Sequence, residues 1–113
     1  MITTITELKC KNYLKLPGLI FLSMKIIKQA KSTPGNISAL IKANGLKAFT
    51  LTSWEHEEAL KSFRNTGYHK QAMKAMNKTA SAFRFKTWET ECQIGWNDAL
   101  IELDKVKMNY TKV

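Results

Sequence analysis

The chain has 113 residues, of which 44% are hydrophobic and 24% are charged, and its net charge is +9. This length suits one domain with one core, which we take to span residues 1–113. The composition is too apolar for a disordered chain, and its apolar runs are too interrupted for a membrane span. Membrane spans, collagens, long coiled coils and multidomain enzymes are therefore excluded.

The periodicity of apolar residues and the turn residues predict alternating strands and helices. The first half of the chain is predicted to form a strand over Met1–Lys11, a helix from Pro17 to Lys31 that ends at the turn 32–35, and strands over 37–43 and 47–54. A Thr52/Glu55 capping box opens the next helix, which residues 65–67 break, and a further helix runs from Tyr68 to about Thr79. A strand over Ala82–Cys92 and a short helix around Ala99–Leu103 follow. Asn44-Gly45 predicts the hairpin turn between the second and third strands.

Merging the two consecutive helices and leaving out the last one gives the order βαββαβ, which is that of an α+β, ferredoxin-like protomer. We expect a four-stranded antiparallel sheet with the main helices on one face. The third and fourth strands carry apolar residues on both faces, so the helix-free face needs a cover. The simplest cover is a second copy, which predicts a homodimer.

The basic excess is unevenly placed, since no acid occurs between Glu7 and Glu55 or between Glu58 and Glu89. The positive electrostatic potential of such acid-free stretches favours an anionic partner. Sixteen of the 18 basic residues are lysines, however, and no zinc-finger, RNP-type or GXXG pattern is present. We therefore expect a solvated lysine-rich surface, no specific nucleic acid and no membrane partner, with at most weak, non-specific polyanion binding.

Cysteine and histidine residues are few, and their spacing matches no metal-ligand motif. Cys10 and Cys92 fall at opposite ends of the predicted sheet, which excludes a disulfide between them within one chain. With no secretory signal recognised, two free thiols predict a cytoplasmic protein. We expect neither a metal nor a cofactor.

Three patterns together resemble a known family: T-x-T-S-W-E at residues 50–55, A-L-x-x-F at 59–63 and G-x-H-x-x-A-M at 67–73. They are similar to the small domain family of unknown function related to spheroidene monooxygenase, in the dimeric α+β barrel superfamily of the antibiotic-biosynthesis monooxygenases. The resemblance covers most of the chain. It implies a ferredoxin-like protomer, a homodimer packed sheet to sheet, and a pocket between helices and sheet.

Haem-degrading members of that superfamily resemble the chain over the same strand-to-helix passage. Aligned without gaps on Trp54, their catalytic tryptophan would fall on Phe63 and their haem-ligating histidine on Met73. Both roles are lost here, and the first strand has no matching asparagine. These departures from the pattern argue against haem degradation and leave other uses of the pocket open.

The candidate site contains one group with a side-chain pKa near neutrality, His69, which we interpret as a catalytic base. The alternative is a histidine that only fixes the turn between helices. The candidate ligand-binding residues are Trp54, Phe63, Tyr68, Met73 and Trp88. Trp54 could equally be a core anchor, and Met73 could be core filling.

Three functions remain in competition. The resemblance implies a monooxygenase-like protein of unknown substrate with a small apolar ligand pocket. The second hypothesis is a non-catalytic dimeric ligand-binding or stress-related module, and the third is a non-specific polyanion binder. Oxygenation without a cofactor would require a substrate that donates electrons once it is deprotonated, with the protein supplying a base, a dry cavity and orientation.

Overall fold

A computed structural model describes residues 1–110, apart from the side chains of residues 67–68, 76–77 and 109–110. Its elements in chain order are β1 (Ile2–Cys10), α1 (Leu16–Ser32), β2 (Asn36–Asn44), β3 (Lys47–Trp54), α2 (Glu57–Arg64), α3 (Gly67–Thr79), β4 (Ala80–Glu89), α4 (Trp96–Leu103) and β5 (Asn109–Tyr110).

The sheet is antiparallel, with the strand order β2-β3-β1-β4-β5. Its first four strands with α1 to α3 form the predicted α+β, ferredoxin-like arrangement, which is thereby confirmed. β3 lies between β2 and β1, as the apolar residues on both its faces indicated. The two-residue strand β5 was not predicted, because so short an edge strand leaves no alternating pattern in the sequence.

The hairpin between β2 and β3 is where Asn44-Gly45 predicted it, but the turn is shifted by one residue. Asn44 still pairs with Lys47, so Gly45 and Leu46 form the two-residue loop. Gly45 has φ +58°, and no described non-glycine residue has positive φ. Glycine at the first loop position is the pattern of a type II′ hairpin turn.

Helices α1, α2 and α3 pack on one face of the sheet. The buried stripe of α1 is Leu19, Ser23, Ile27 and Ala30. The sequence spacing of Ile20, Met24 and Ile27 predicts that Met24 is in the core, but it is 56% exposed, because it lies one position outside the buried stripe. A serine in the middle of the inward face was not predicted, since the periodicity was assigned from apolar residues alone.

The predicted capping box at Thr52 is wrong. The Thr52 hydroxyl accepts a hydrogen bond from the Trp54 indole Nε1 instead, at 3.1 Å. The cap of α2 is His56, to which no role was assigned: its Nδ1 accepts from the Ala59 N–H at 3.2 Å. Helix α2 consequently begins at Glu57, three residues after the end of β3 at Trp54.

The other face of the sheet is partly covered by the same chain. Ala99 and Leu103 of α4 pack on Ile5, Phe49 and Leu51, and all five are buried. The cover expected from a second copy is therefore supplied in part by α4. Leu40, beside Leu51 on this face, remains 42% exposed, and Ile101 of α4 is 60% exposed.

A buried ion pair fastens the segment after α4 to this face. Glu7 is 1% exposed, and its carboxylate accepts from Arg84 Nε at 2.8 Å and lies 3.5 Å from Lys47 Nζ. Arg84 also donates to Asp104 and to the Val106 carbonyl. The sequence alone predicts acids that serve as helix caps and as solvated surface. That prediction is wrong for Glu7, because two cations meet it across the sheet.

The cysteines behave as predicted. Cys10, buried at the end of β1, and Cys92, exposed beyond β4, are both free thiols. Among residues 1–110, no helix is long and apolar enough to cross a membrane.

Candidate functional site

A cavity of about 500 Å³ lies between the sheet and helices α1, α2 and α3. Its floor consists of threonines on the helix-facing side of neighbouring strands, where Thr4 pairs with Thr52 and Thr6 with Thr50. Threonine is short, so this floor leaves space where larger side chains would have filled the core. The remaining lining side chains are mostly apolar and come from all three helices and from β4.

The floor hydroxyls fall into two groups. Thr4 shares a hydrogen bond with Thr87 at 2.8 Å, and Thr52 accepts from Trp54. Thr6 and Thr50 have no side-chain hydrogen bond to other described residues and line the cavity. The cavity floor thus offers hydrogen-bonding groups that the fold itself does not use.

His69 lies on the cavity wall, partly buried, with its ring edge-on to Phe63 at a centroid distance of 4.9 Å. Its position is set by the start of α3, where the Thr66 hydroxyl accepts from the His69 N–H at 3.2 Å and donates to the Phe63 carbonyl. This is the geometry of an N-terminal helix cap. The sequence pattern had identified Thr66 only as part of a helix break.

The pKa of His69 is lowered from 6.5, chiefly because burial disfavours the imidazolium, and further by the nearby Arg64 charge. An interaction with the Arg64 carbonyl acts in the opposite, raising direction. From the sequence, the place of His69 in the first turn of a helix, near its positive end, predicts the same direction, but the causes in the structure are desolvation and the Arg64 charge. A neutral imidazole at neutral pH can accept a proton from a bound molecule.

Trp54 lies one layer behind the cavity. It is fully buried, it stacks on Phe63 with ring centroids 5.2 Å apart, and its indole N–H is satisfied by Thr52. Trp54 therefore positions Phe63 and Thr52, which do line the cavity, and does not itself form the wall.

The structure brings only part of the predicted ligand-binding set together. Phe63 and Met73 line the cavity with His69. Trp88 does not: it packs beside the α4 cluster and lines a separate cavity of about 240 Å³. The side chain of Tyr68 lies outside the described residues.

Among the cavity residues outside the predicted ligand-binding set, three carry polar side chains on the helices: Ser23, Arg64 and Lys74. The sequence alone allows Arg64 either to pair with Glu57 or Glu58 or to face a pocket, and it favours the surface pair. Those acids contact Lys61 and His56 instead, while Arg64 Nη2 donates to Thr87 at 3.1 Å. The available signal was compositional, because Arg64 is one of only two arginines in a lysine-rich chain.

A metal site is not formed by the described residues, since no group of three or more His, Cys, Asp or Glu side chains is close enough to hold an ion. At the positions aligned with the haem-degrading enzymes, Phe63 and Met73 present a phenyl ring and a thioether to the cavity. A ring that stacks on Trp54 and a flexible thioether suit an apolar ligand.

No family model matches the chain, and no curated protein matches it. Solved structures do. A candidate antibiotic biosynthesis monooxygenase from Deinococcus radiodurans superposes with a TM-score of 0.77 at 14% identity, over 84% of this chain and 97% of that one. A second, from Nitrosomonas europaea, has a TM-score of 0.71 at 11% identity, over 81% and 100% of the two chains.

A Bacteroides thetaiotaomicron protein of unknown function, described as a possible oxidoreductase, superposes with a TM-score of 0.72 at 13% identity, over 79% of this chain and 96% of that one. At these identities the likeness shows a shared fold. That fold is the ferredoxin-like one that the sequence predicted, and none of these likenesses links the chain to spheroidene monooxygenase.

Proposed function

We propose that the chain is a monooxygenase-like protein that binds a small apolar ligand in the cavity beside His69. The observation that carries the proposal is the combination of an apolar cavity of about 500 Å³ with a partly buried imidazole whose pKa is lowered. A cavity of this size accommodates a molecule of two or three aromatic rings. The neutral imidazole supplies a base where little water competes for the proton.

The chemistry open to such a site is proton abstraction followed by reaction of the resulting anion with oxygen. His69 would accept the proton, and the Arg64 guanidinium, close enough to lower the His69 pKa, would stabilise the negative charge left on the ligand. A substrate for this route must carry an acidic O–H or C–H group conjugated with an aromatic system. Phe63 and Phe85 would hold its rings.

Oxygen uptake tests turnover directly. We would screen aromatic compounds with an ionisable hydroxyl or methylene group in an oxygen electrode, comparing wild type with His69→Gln. The proposal predicts uptake that the wild type catalyses and His69→Gln loses, with ligand binding retained. Wild-type activity that persists in His69→Gln would remove His69 from the catalytic role.

The second candidate function is ligand binding without turnover. It is favoured by the several contacts that hold His69 in place, namely the Thr66 cap and the edge-on packing on Phe63. Under this hypothesis His69→Gln lowers stability and leaves affinity unchanged. A thermal-shift screen against apolar aromatics, haem and polyanions separates both from the polyanion binder, which predicts a salt-sensitive response to polyanions alone.

We also propose that the chain forms a homodimer through the part of the sheet face that α4 leaves uncovered. Leu40 on this part of the sheet and Ile101 on the neighbouring α4 are large apolar side chains that remain exposed. Light scattering should give twice the protomer mass at micromolar concentration, and Leu40→Lys should shift the protein toward the monomer. A monomeric wild type at that concentration would contradict the dimer.

The two free cysteines support a reducing, cytoplasmic location. Cys92 is exposed and would be open to oxidation elsewhere. Fractionation of cells producing the untagged chain would test this, and recovery from an oxidising compartment would contradict it.

A further inference from the structure

The deep wall of the cavity holds a polar atom that the fold leaves unused. Ser23 is 1% exposed, lines the cavity, and its Oγ is the one buried side-chain nitrogen or oxygen among the described residues without a hydrogen-bond partner. Buried hydroxyls are normally satisfied, so an exception requires a cause.

The same helix shows that a local partner was available. At the end of α1, Ser32 Oγ donates to the Lys28 carbonyl at 3.0 Å, and Thr33 Oγ1 donates to the Gln29 carbonyl at 2.9 Å. This bond to the preceding turn is the usual way in which a helical hydroxyl is satisfied. Ser23 does not make it. The neighbouring hydroxyls of Thr6 and Thr50 on the floor are also unused, so the deep part of the cavity has a polar pole.

The mouth of the cavity has a second polar pole, of positive charge. The lining residues with the greatest exposure are Met73 and Phe85, at 43% and 48%, together with the exposed Lys74. Arg64 lies beside Phe85, with its guanidinium 6.0 Å from the ring centroid. Among the described residues, no carboxylate lines the cavity, and neither Arg64 nor Lys74 forms an ion pair.

The rest of the cavity lining is mostly apolar and includes the aromatic rings of Phe63, Phe83 and Phe85. We propose that the cavity binds an aromatic carboxylic acid with its carboxylate at Arg64 and Lys74 and a second polar substituent, a hydroxyl or carbonyl, at Ser23. This inference rests on the proposed use of the cavity for an apolar ligand. It does not depend on turnover.

Three naphthalene probes isolate the two poles: 6-hydroxy-2-naphthoate carries both groups, 2-naphthoate only the carboxylate, and 2-naphthol only the hydroxyl. Titration calorimetry with the full-length protein would measure the affinity for each probe. We expect 6-hydroxy-2-naphthoate to bind tightest. Ser23→Ala should lower the affinity for 6-hydroxy-2-naphthoate about tenfold, which is the effect of losing one hydrogen bond. The affinity of the same variant for 2-naphthoate should stay within about twofold of the wild-type value.

The charge variants should show the reverse pattern. Arg64→Gln should lower the affinity for both carboxylate probes about fivefold to tenfold, and so should a separate variant, Lys74→Gln, at an exposed position. Both variants should keep an affinity for 2-naphthol within about twofold of the wild-type value. Ser32→Ala is the matched control for Ser23→Ala, because it removes a satisfied hydroxyl from the same helix. Lys28→Gln is the control for the charge variants, since it is exposed on α1 and does not line the cavity.

The outcomes separate this inference from the proposed function. If the three probes bind with equal affinity, or if Ser23→Ala weakens all of them alike, the cavity is an apolar site without polar selection and the inference is wrong, while the proposed function stands. If no probe binds, both are wrong. If the controls reproduce the losses, the effect is on folding or on overall charge, and the inference again fails.

Discussion

Gly35 determines how α2 sits over the sheet and hence the shape of the cavity wall. The turn at residues 33–36 is closed by the Asn36 N–H on the Thr33 carbonyl, with Gly35 at φ +89°. Proline followed by glycine with positive φ is the pattern of a type II turn. The Gly35 carbonyl then accepts from the Glu55 N–H at 2.8 Å, which ties the turn to the start of α2.

Replacing Gly35 by alanine should destabilise the protein for two reasons. The left-handed conformation costs an L-residue about 1–2 kcal/mol. In addition, the new Cβ would lie 2.5 Å from the Cβ of Ala59, which is buried on α2 and cannot rotate away. Overpacking of this kind costs about 1–3 kcal/mol. We expect a total loss of about 2–5 kcal/mol, a large share of the stability of a domain this size.

Two other glycines provide matched controls, assayed by urea unfolding followed by circular dichroism. Gly45→Ala also places an L-residue at positive φ, +58°, but has no atom within 4 Å of the new Cβ, so it should lose only the backbone cost of about 1–3 kcal/mol. Gly18→Ala lies in α1 with open space around it, and should be neutral or stabilising by about 0.5–1 kcal/mol. Equal losses for Gly35→Ala and Gly45→Ala would refute the contact with Ala59.

Three further predictions concern single residues. Because the pKa of His69 is lowered, the unfolded chain binds a proton more readily than the folded one, so stability should fall as the pH drops from about 7 through 6.5 toward the lowered value. A plot of unfolding free energy against pH over this range should have a shallower slope for His69→Gln than for the wild type. Equal slopes for the two proteins would exclude the lowered pKa. Thr66→Ala should cost about 1 kcal/mol by removing the cap of α3, and Thr66→Ser should restore it; equal urea midpoints for the two variants would contradict the cap. Glu7→Gln should cost about 3 kcal/mol, because it leaves Arg84 beside an uncharged amide in a buried site; a loss below about 1 kcal/mol would show that Asp104 alone satisfies Arg84.

The sequence was sufficient for the fold because its strongest signals are local. Alternating β-branched residues define β1, and Pro17 and the turn at 32–35 bound α1. Asn44-Gly45 joins β2 to β3, although the loop is shifted by one residue. The strand order then follows from the few ways of arranging βαββαβ.

The errors occurred where a tertiary contact competed with a local preference. Thr52 matches a capping box by spacing, but a buried tryptophan two residues later needs a partner for its indole N–H, and Thr52 supplies it. His56, with no expected role, became the cap. Glu7 was placed with the solvated acids because its partner Arg84 is 77 residues away in the chain.

The candidate site was predictable only in part for the same reason. His69 and Phe63 were identified from a contiguous pattern. Ser23, Arg64 and Lys74 join them through α1, α2 and α3, which the sequence does not place relative to one another. Trp88 was misplaced because alternation along a strand gives two faces without saying which face the helices cover.

The cavity as a ligand-binding site is the central claim, and amide and methyl NMR of the full-length protein titrated with 2-naphthoate tests it most directly. We predict that the largest shifts occur in the resonances of Ser23, Thr50, Phe63, His69 and Phe85. The resonances around Leu40 and Ile101, on the sheet face that α4 partly covers (the back face), should not change. Shifts confined to the back face or spread over the surface lysines, with His69 unaffected, would contradict the claim.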